Sequence, residues 1–109
     1  MPPIERDHRI TLNDFGDYVR VNFTKNGPTI IWFMVQFEVM LDGEPKPVVR
    51  YDSAHGFAHR DTLGWDGETI NWQEMHNRND YRAALTDAIN DLTENWERYR
   101  SEFLRRGSK

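Results

Sequence analysis

Between Val48 and Leu63 the chain reads Val-Val-Arg-Tyr-Asp-Ser-Ala-His-Gly-Phe-Ala-His-Arg-Asp-Thr-Leu. Two arginines (Arg50, Arg60), two aspartates (Asp52, Asp61) and two histidines (His55, His59) crowd into that stretch. Such residues suit cleavage of an RNA phosphodiester without a metal. One imidazole takes the proton of a ribose 2′-hydroxyl, a second protonates the leaving oxygen, and an arginine steadies the charge building on the phosphate. Asp52 or Asp61 would orient a histidine through its other ring nitrogen. Gly56, directly after His55, permits a sharp turn or close approach to a ligand.

The same residues admit two other readings. His55, His59 and one aspartate form a conceivable metal-ligand set. However, a His-x-x-x-His pair shares a face when helical, and this stretch holds Gly56 and follows a strand. Metal-free chemistry is therefore favoured, and no metal or cofactor is expected. Alternatively, Arg50–Asp52 and Arg60–Asp61 are ordinary surface ion pairs and the histidines cap turns. Elsewhere the chemistry is thin. Ser53 and Ser101 lack a nucleophile motif, no glycine-rich phosphate loop is present, and His8, His76, Glu38 and Glu44 read as solvated.

The elements that must carry the cluster follow from hydrophobic spacing. His8 to Asn13 alternates, with Ile10 and Leu12 pointing one way, and Asp14–Asp17 reads as a turn. Tyr18 to Thr24 is a period-2 strand with Val19, Val21 and Phe23 inward. Asn26-Gly27 marks a hairpin turn. From Thr29 to Leu41 every odd position from Ile31 onward is apolar, which predicts a strand whose odd face meets the helix. Its even positions start apolar (Ile30, Trp32, Met34) and turn polar (Gln36, Glu38), so that face is either a minor core or an interface. Asp42-Gly43 closes another hairpin. Pro45 and Pro47 exclude Glu44–Pro47 from a central strand, because proline has no ladder donor. Val48 to Asp52 resumes strand character, and alternation puts Arg50 and Asp52 on one face. Phe57–Leu63 and Thr69–Trp72 are further short strands, separated by a turn at Trp65–Glu68.

One helix over about residues 79–106 closes the chain. Asn79 or Asp80 caps its start, and Tyr81, Leu85, Ala88, Ile89, Leu92, Trp96, Tyr99 and Phe103 make one apolar stripe ended by Gly107. About 27 residues at 1.5 Å rise give a rod near 40 Å, longer than the roughly 30 Å of a domain this size. The C-terminal end is thus expected to overhang or to dock on a partner. Acidic residues near the helix start and basic ones at its end suit the helix dipole.

At 109 residues the chain holds one domain, 1–109, of α+β class: an antiparallel sheet of about four to six strands against one long helix. It contains no cysteine, which excludes disulfides, zinc–thiolate sites and thiol nucleophiles and fits a reducing, cytoplasmic setting. The first seven and last three residues are expected to fray. The N-terminus lacks the pattern of a signal peptide, and no run approaches the roughly 20 apolar residues of a membrane span. A net charge of −4 argues against a protein that coats nucleic acid through bulk charge, though not against a local RNA site.

The stretch Val49-Arg50-Tyr51-Asp52-Ser53-Ala54-His55-Gly56, followed by His59-Arg60, resembles the core motif of the TumE-like toxin family. Ser53 stands where that family commonly has asparagine, and the histidine spacing differs. The resemblance implies a small growth-inhibiting toxin acting on RNA, held by a protein antitoxin of helix-turn-helix type. The expectation is a toxin-like, metal-independent ribonuclease with Arg50, Asp52, His55, His59, Arg60 and Asp61 converging on one concave surface. The alternative is a non-catalytic binding module that uses the Trp32–Met34 face and the helix to hold a protein partner or a second copy of itself.

Overall fold

The computed structural model describes residues 2–107. Six strands, β1 (Ile4–Thr11), β2 (Tyr18–Asn26), β3 (Thr29–Leu41), β4 (Glu44–Asp52), β5 (His59–Leu63) and β6 (Thr69–Glu74), precede one helix, α1 (Tyr81–Arg106). The strands lie side by side in chain order, each antiparallel to the next. The α+β expectation therefore holds. The β3–β4 hairpin turns on Asp42 (φ +53°) and Gly43 (φ +79°), the paired left-handed residues that suit a two-residue turn to the strand twist. Among the described residues no helix is long and apolar enough to cross a membrane.

Alternation sends Val19, Val21, Phe33, Val35, Phe37, Val39, Val49 and Tyr51 to the face that α1 covers. Against them α1 sets Ala84, Leu85, Ala88, Leu92, Tyr99 and Phe103, with Ile89 and Trp96 half-buried beside them. Phe33 meets Tyr81 edge-on at 5.8 Å and Phe37 meets Trp96 at 6.5 Å. Asp80 caps the helix by accepting from the Ala83 N–H at 3.1 Å.

Several expectations are corrected. Ile31 faces solvent and Ile30 is buried, because the β2–β3 register shifts beside Thr24 and passes over Ile31. One extra residue reverses which parity points inward. Pro45 and Pro47 do lie in a strand, but opposite β3 alone, since β5 joins β4 only from Val49 onward. The prolines thus occupy an edge, where a missing donor costs no ladder bond. The chain is paired from Ile4, so residues 4–7 are not frayed; of the last three residues, Gly107 caps the helix and Ser108 and Lys109 lie outside the described residues. Nor does α1 overhang. Trp65 stacks on Phe103 at 5.3 Å and donates from Nε1 to the Phe103 carbonyl at 2.7 Å, so the turn between β5 and β6 covers the helix end. Arg105 and Arg106 sit in the last turn as the dipole favours, yet the first turn holds no acid; Asp87 and Asp91 serve side-chain hydrogen bonds instead.

Asp17 fastens the β1–β2 turn. Its carboxylate accepts from Asn13 Nδ2, the Met40 N–H and Arg100 Nε at 2.8–2.9 Å, joining that turn to β3 and α1. Burial alone would raise its pKa, but these three donors outweigh burial and hold the carboxyl below its usual range.

Candidate functional site

The sheet face away from α1 is uncovered, and it is polar. Across the strands, register aligns Tyr18 with Glu38, Gln36 with Arg50, Arg50 with Asp61, Asp52 with His59, and Asp61 with Trp72. Glu38, read from the sequence as solvated, is buried and accepts from Tyr18 Oη at 2.9 Å and Gln36 Nε2 at 3.0 Å. Gln36 in turn accepts from Arg50 Nε at 2.6 Å, which fixes that guanidinium against the face.

Next to Arg50 lies a buried cluster. His59, only 2% exposed, points Nε2 at Asp52 Oδ1 (3.1 Å) and at Asp61 Oδ2 (3.4 Å). Its Nδ1 lies 3.4 Å from the Phe57 carbonyl oxygen. A carbonyl only accepts, so the ring serves it only with a proton on Nδ1, and serves the carboxylates only with a proton on Nε2. Asp52 also takes the Ala54 N–H at 3.0 Å. Over His59 lie three rings: His55 at 5.2 Å and Trp72 at 5.8 Å, both tilted, and Phe57 edge-on at 5.8 Å. The Arg78 guanidinium caps Phe57 at 4.3 Å. Gly56 adopts φ +88°, the sharp turn expected after His55, and the loop it shapes brings exposed His55 back beside buried His59.

Arg60 does not join them. It follows His59 on β5, so alternation sends it to the helix side, over the rings of Tyr99 (5.1 Å) and Tyr51 (5.8 Å). There it borders a second polar group. Asp91 of α1 accepts from Tyr51 Oη at 2.6 Å, Tyr99 Oη at 2.7 Å and Asn95 Nδ2 at 2.8 Å. Burial, and then the bond to Asp91, pushes both tyrosine hydroxyls above their ordinary value, so they remain protonated donors. A cleft of about 400 Å³ beside this group is lined by Arg60, Glu74, His76 and Asp87 among others.

A family profile described as a domain of unknown function, DUF7718, matches residues 4–109, the whole sheet and helix. The chain belongs to that family. No curated protein and no solved structure was found to match it.

Of the six predicted residues, the DUF7718 fold thus brings Arg50, Asp52, His55, His59 and Asp61 to one face and sends Arg60 to the other. The two histidines are unequal. His55 is exposed and available to a substrate; His59 is enclosed, with both ring nitrogens engaged. A mechanism in which both imidazoles touch the substrate does not suit this arrangement. Nor is the three-ligand set the one weighed from sequence: the atoms of Asp52, His59 and Asp61 lie within 4.8 Å of one another, with His55 outside. Sequence reasoning missed Trp72 and Gln36 as neighbours of the cluster. The only available signal was register across three strands, which no local pattern encodes.

Proposed function

We propose that this chain is a small toxin-like protein that cleaves RNA on its uncovered sheet face. The observation that carries the reading is the exposed His55 ring tilted over His59, which two buried carboxylates hold, with Arg50 on the same face. His55 takes the 2′-hydroxyl proton, the freed oxygen attacks the adjacent phosphorus, and the bond from phosphorus to the 5′-oxygen breaks, that oxygen taking its proton from solvent water. Arg50, braced by Gln36, binds the phosphate oxygens. Asp52, His59 and Asp61 act as positioning residues beneath. Trp72, half exposed beside His59, offers a stacking surface for a base.

The test is RNA cleavage by the purified chain, together with growth arrest on expression. His55→Ala should lower the cleavage rate on the order of 10²–10⁴-fold, as loss of an acid–base group does. Arg50→Lys should also impair it, since the planar fork is lost while the charge remains. Unchanged cleavage by His55→Ala would overturn the reading.

A non-catalytic binding module is the second reading, and exposed Ile31 and Trp32 at the β3 bulge favour it. A protein antitoxin or a second copy of the chain would cover them. Light scattering of the chain, alone and with the product of a neighbouring gene, checks this; a strictly monomeric chain that ignores that neighbour would remove it.

A further inference from the structure

We infer that Asp52, His59 and Asp61 form a binding site for one divalent transition-metal ion of the zinc or manganese type. His59 turns Nε2 toward two carboxylate oxygens at 3.1 and 3.4 Å, while its Nδ1 faces the Phe57 carbonyl. Two carboxylates converging on one ring nitrogen make a place that a ring proton or a metal ion can occupy.

Three observations favour the metal. The first is Asp61. It is buried, yet among the described residues its side chain meets no donor except His59 Nε2, at the long distance of 3.4 Å. Arg50, its cross-strand neighbour, turns its Nε to Gln36 instead. Buried carboxylates are ordinarily paired, richly hydrogen-bonded or coordinated to a metal; Asp61 has that one long pairing and no hydrogen bond besides it. The second is spacing. Zinc binds nitrogen and oxygen ligands at about 2.0–2.2 Å, so neighbouring ligand atoms of a tetrahedral site stand about 3.3–3.6 Å apart. Of the separations from Nε2, 3.4 Å lies within that range and 3.1 Å just below it. The third is support around the ligands. A metal-bound histidine characteristically donates its other N–H to a carbonyl or carboxylate, and ligating carboxylates are themselves hydrogen-bonded. Phe57 O and the Ala54 N–H stand in those places.

One imidazole and two carboxylates suit zinc or manganese better than calcium or magnesium, which prefer oxygen alone. Three protein ligands leave a coordination position free, the arrangement of catalytic rather than structural sites. Charge points the same way. Two carboxylates with an imidazolium carry a net charge of about −1, which repels a phosphate; with neutral imidazole and a divalent ion the sum is about 0. This last point alone rests on the ribonuclease reading. The binding argument stands without it.

The experiment is isothermal titration of the chelator-treated full chain with Zn²⁺ and, separately, Mn²⁺, with Asp61→Asn beside the native sequence. One equivalent should bind, and Asp61→Asn should weaken binding at least tenfold. Absence of binding to the native chain overturns the inference, whatever the variant does. Nitrogen NMR of the histidine rings locates the ion without relying on a variant. Zn²⁺ should shift Nε2 of His59 and leave His8 and His76 unmoved; shifts confined to His8 or His76 would overturn the site. RNA cleavage is then measured on the same samples with and without chelator. A chain that binds the ion but leaves RNA intact overturns the ribonuclease reading and leaves the cation site standing.

Discussion

Asp91, on the helix side of the sheet, and Asp61, on the open side, are carboxylates set into the same sheet region with opposite surroundings. Asp91 receives two tyrosine hydroxyls and an asparagine amide, all within 2.8 Å. Asp61 receives one long contact from a histidine that it shares with Asp52. The first group is closed: donors and acceptor match, and α1 covers it. The second is open, with more negative charge than the chain neutralises. A polar group that completes itself needs nothing more than folding to explain it. One left incomplete beside solvent is where a ligand belongs.

Substitutions test that contrast directly. Leu92→Ala, next to Asp91 in the chain and buried in the core, sets the scale; it should cost about 2–5 kcal/mol in urea unfolding, as large-to-small core changes do. A loss under roughly 0.5 kcal/mol would mean that α1 does not cover the sheet as described. Asp91→Ala should follow at about 2–4 kcal/mol, because two buried phenolic hydroxyls lose their acceptor. Should it prove neutral, the helix-side group is not the closed network described.

Tyr51→Phe should cost about 1–2 kcal/mol and should also change the response to alkali. Burial and Asp91 raise the pKa of Tyr51 and Tyr99 in the folded chain. A raised folded-state pKa means the contribution is complete below about pH 10, the ordinary tyrosine value, and is lost as pH climbs toward the folded value. Thermal unfolding between pH 9 and about 11.5 should therefore fall more steeply for the native chain than for Tyr51→Phe with Tyr99→Phe. Equal slopes would contradict the closed network. The smallest effect belongs to the open side. Without added metal, Asp61→Asn should change stability by no more than about 0.5–1 kcal/mol, since it removes a charge the chain leaves poorly matched. A loss comparable to that of Asp91→Ala would erase the distinction.

The architecture was legible where periodicity was uninterrupted. The alternation of β2, the odd positions of β3 from Phe33 on, and the stripe from Tyr81 to Phe103 each encode one face and one partner. Legibility ended at bulges. Ile31 continues the odd pattern of β3 in sequence, yet sits where an extra residue reverses the faces, and nothing local to it signals the shift. The site shows the same limit. The density of charged residues between Arg50 and Asp61 pointed to the right stretch, and alternation within β4 correctly joined Arg50 to Asp52. Treating that density as convergence overlooked that Arg60, between His59 and Asp61 on one strand, must point the other way. The burial of His59 and Glu38 was invisible because it depends on Trp72 and Tyr18, which are brought alongside only by strand pairing.

Pro45 and Pro47 have a consequence beyond their place in β4. Along that stretch the strand has β3 on one side and no strand on the other. An unpaired strand edge is a template on which another chain can add itself, beginning a fibre. Two prolines one residue apart remove successive donors from the same side, so this edge cannot accept a continuous new strand. β6, exposed throughout and carrying Ile70 and Trp72, has no such guard. Of these two edges β6, beside the candidate site, is the one where misassembly should start, and an occupant of that face would also protect the chain from self-assembly there.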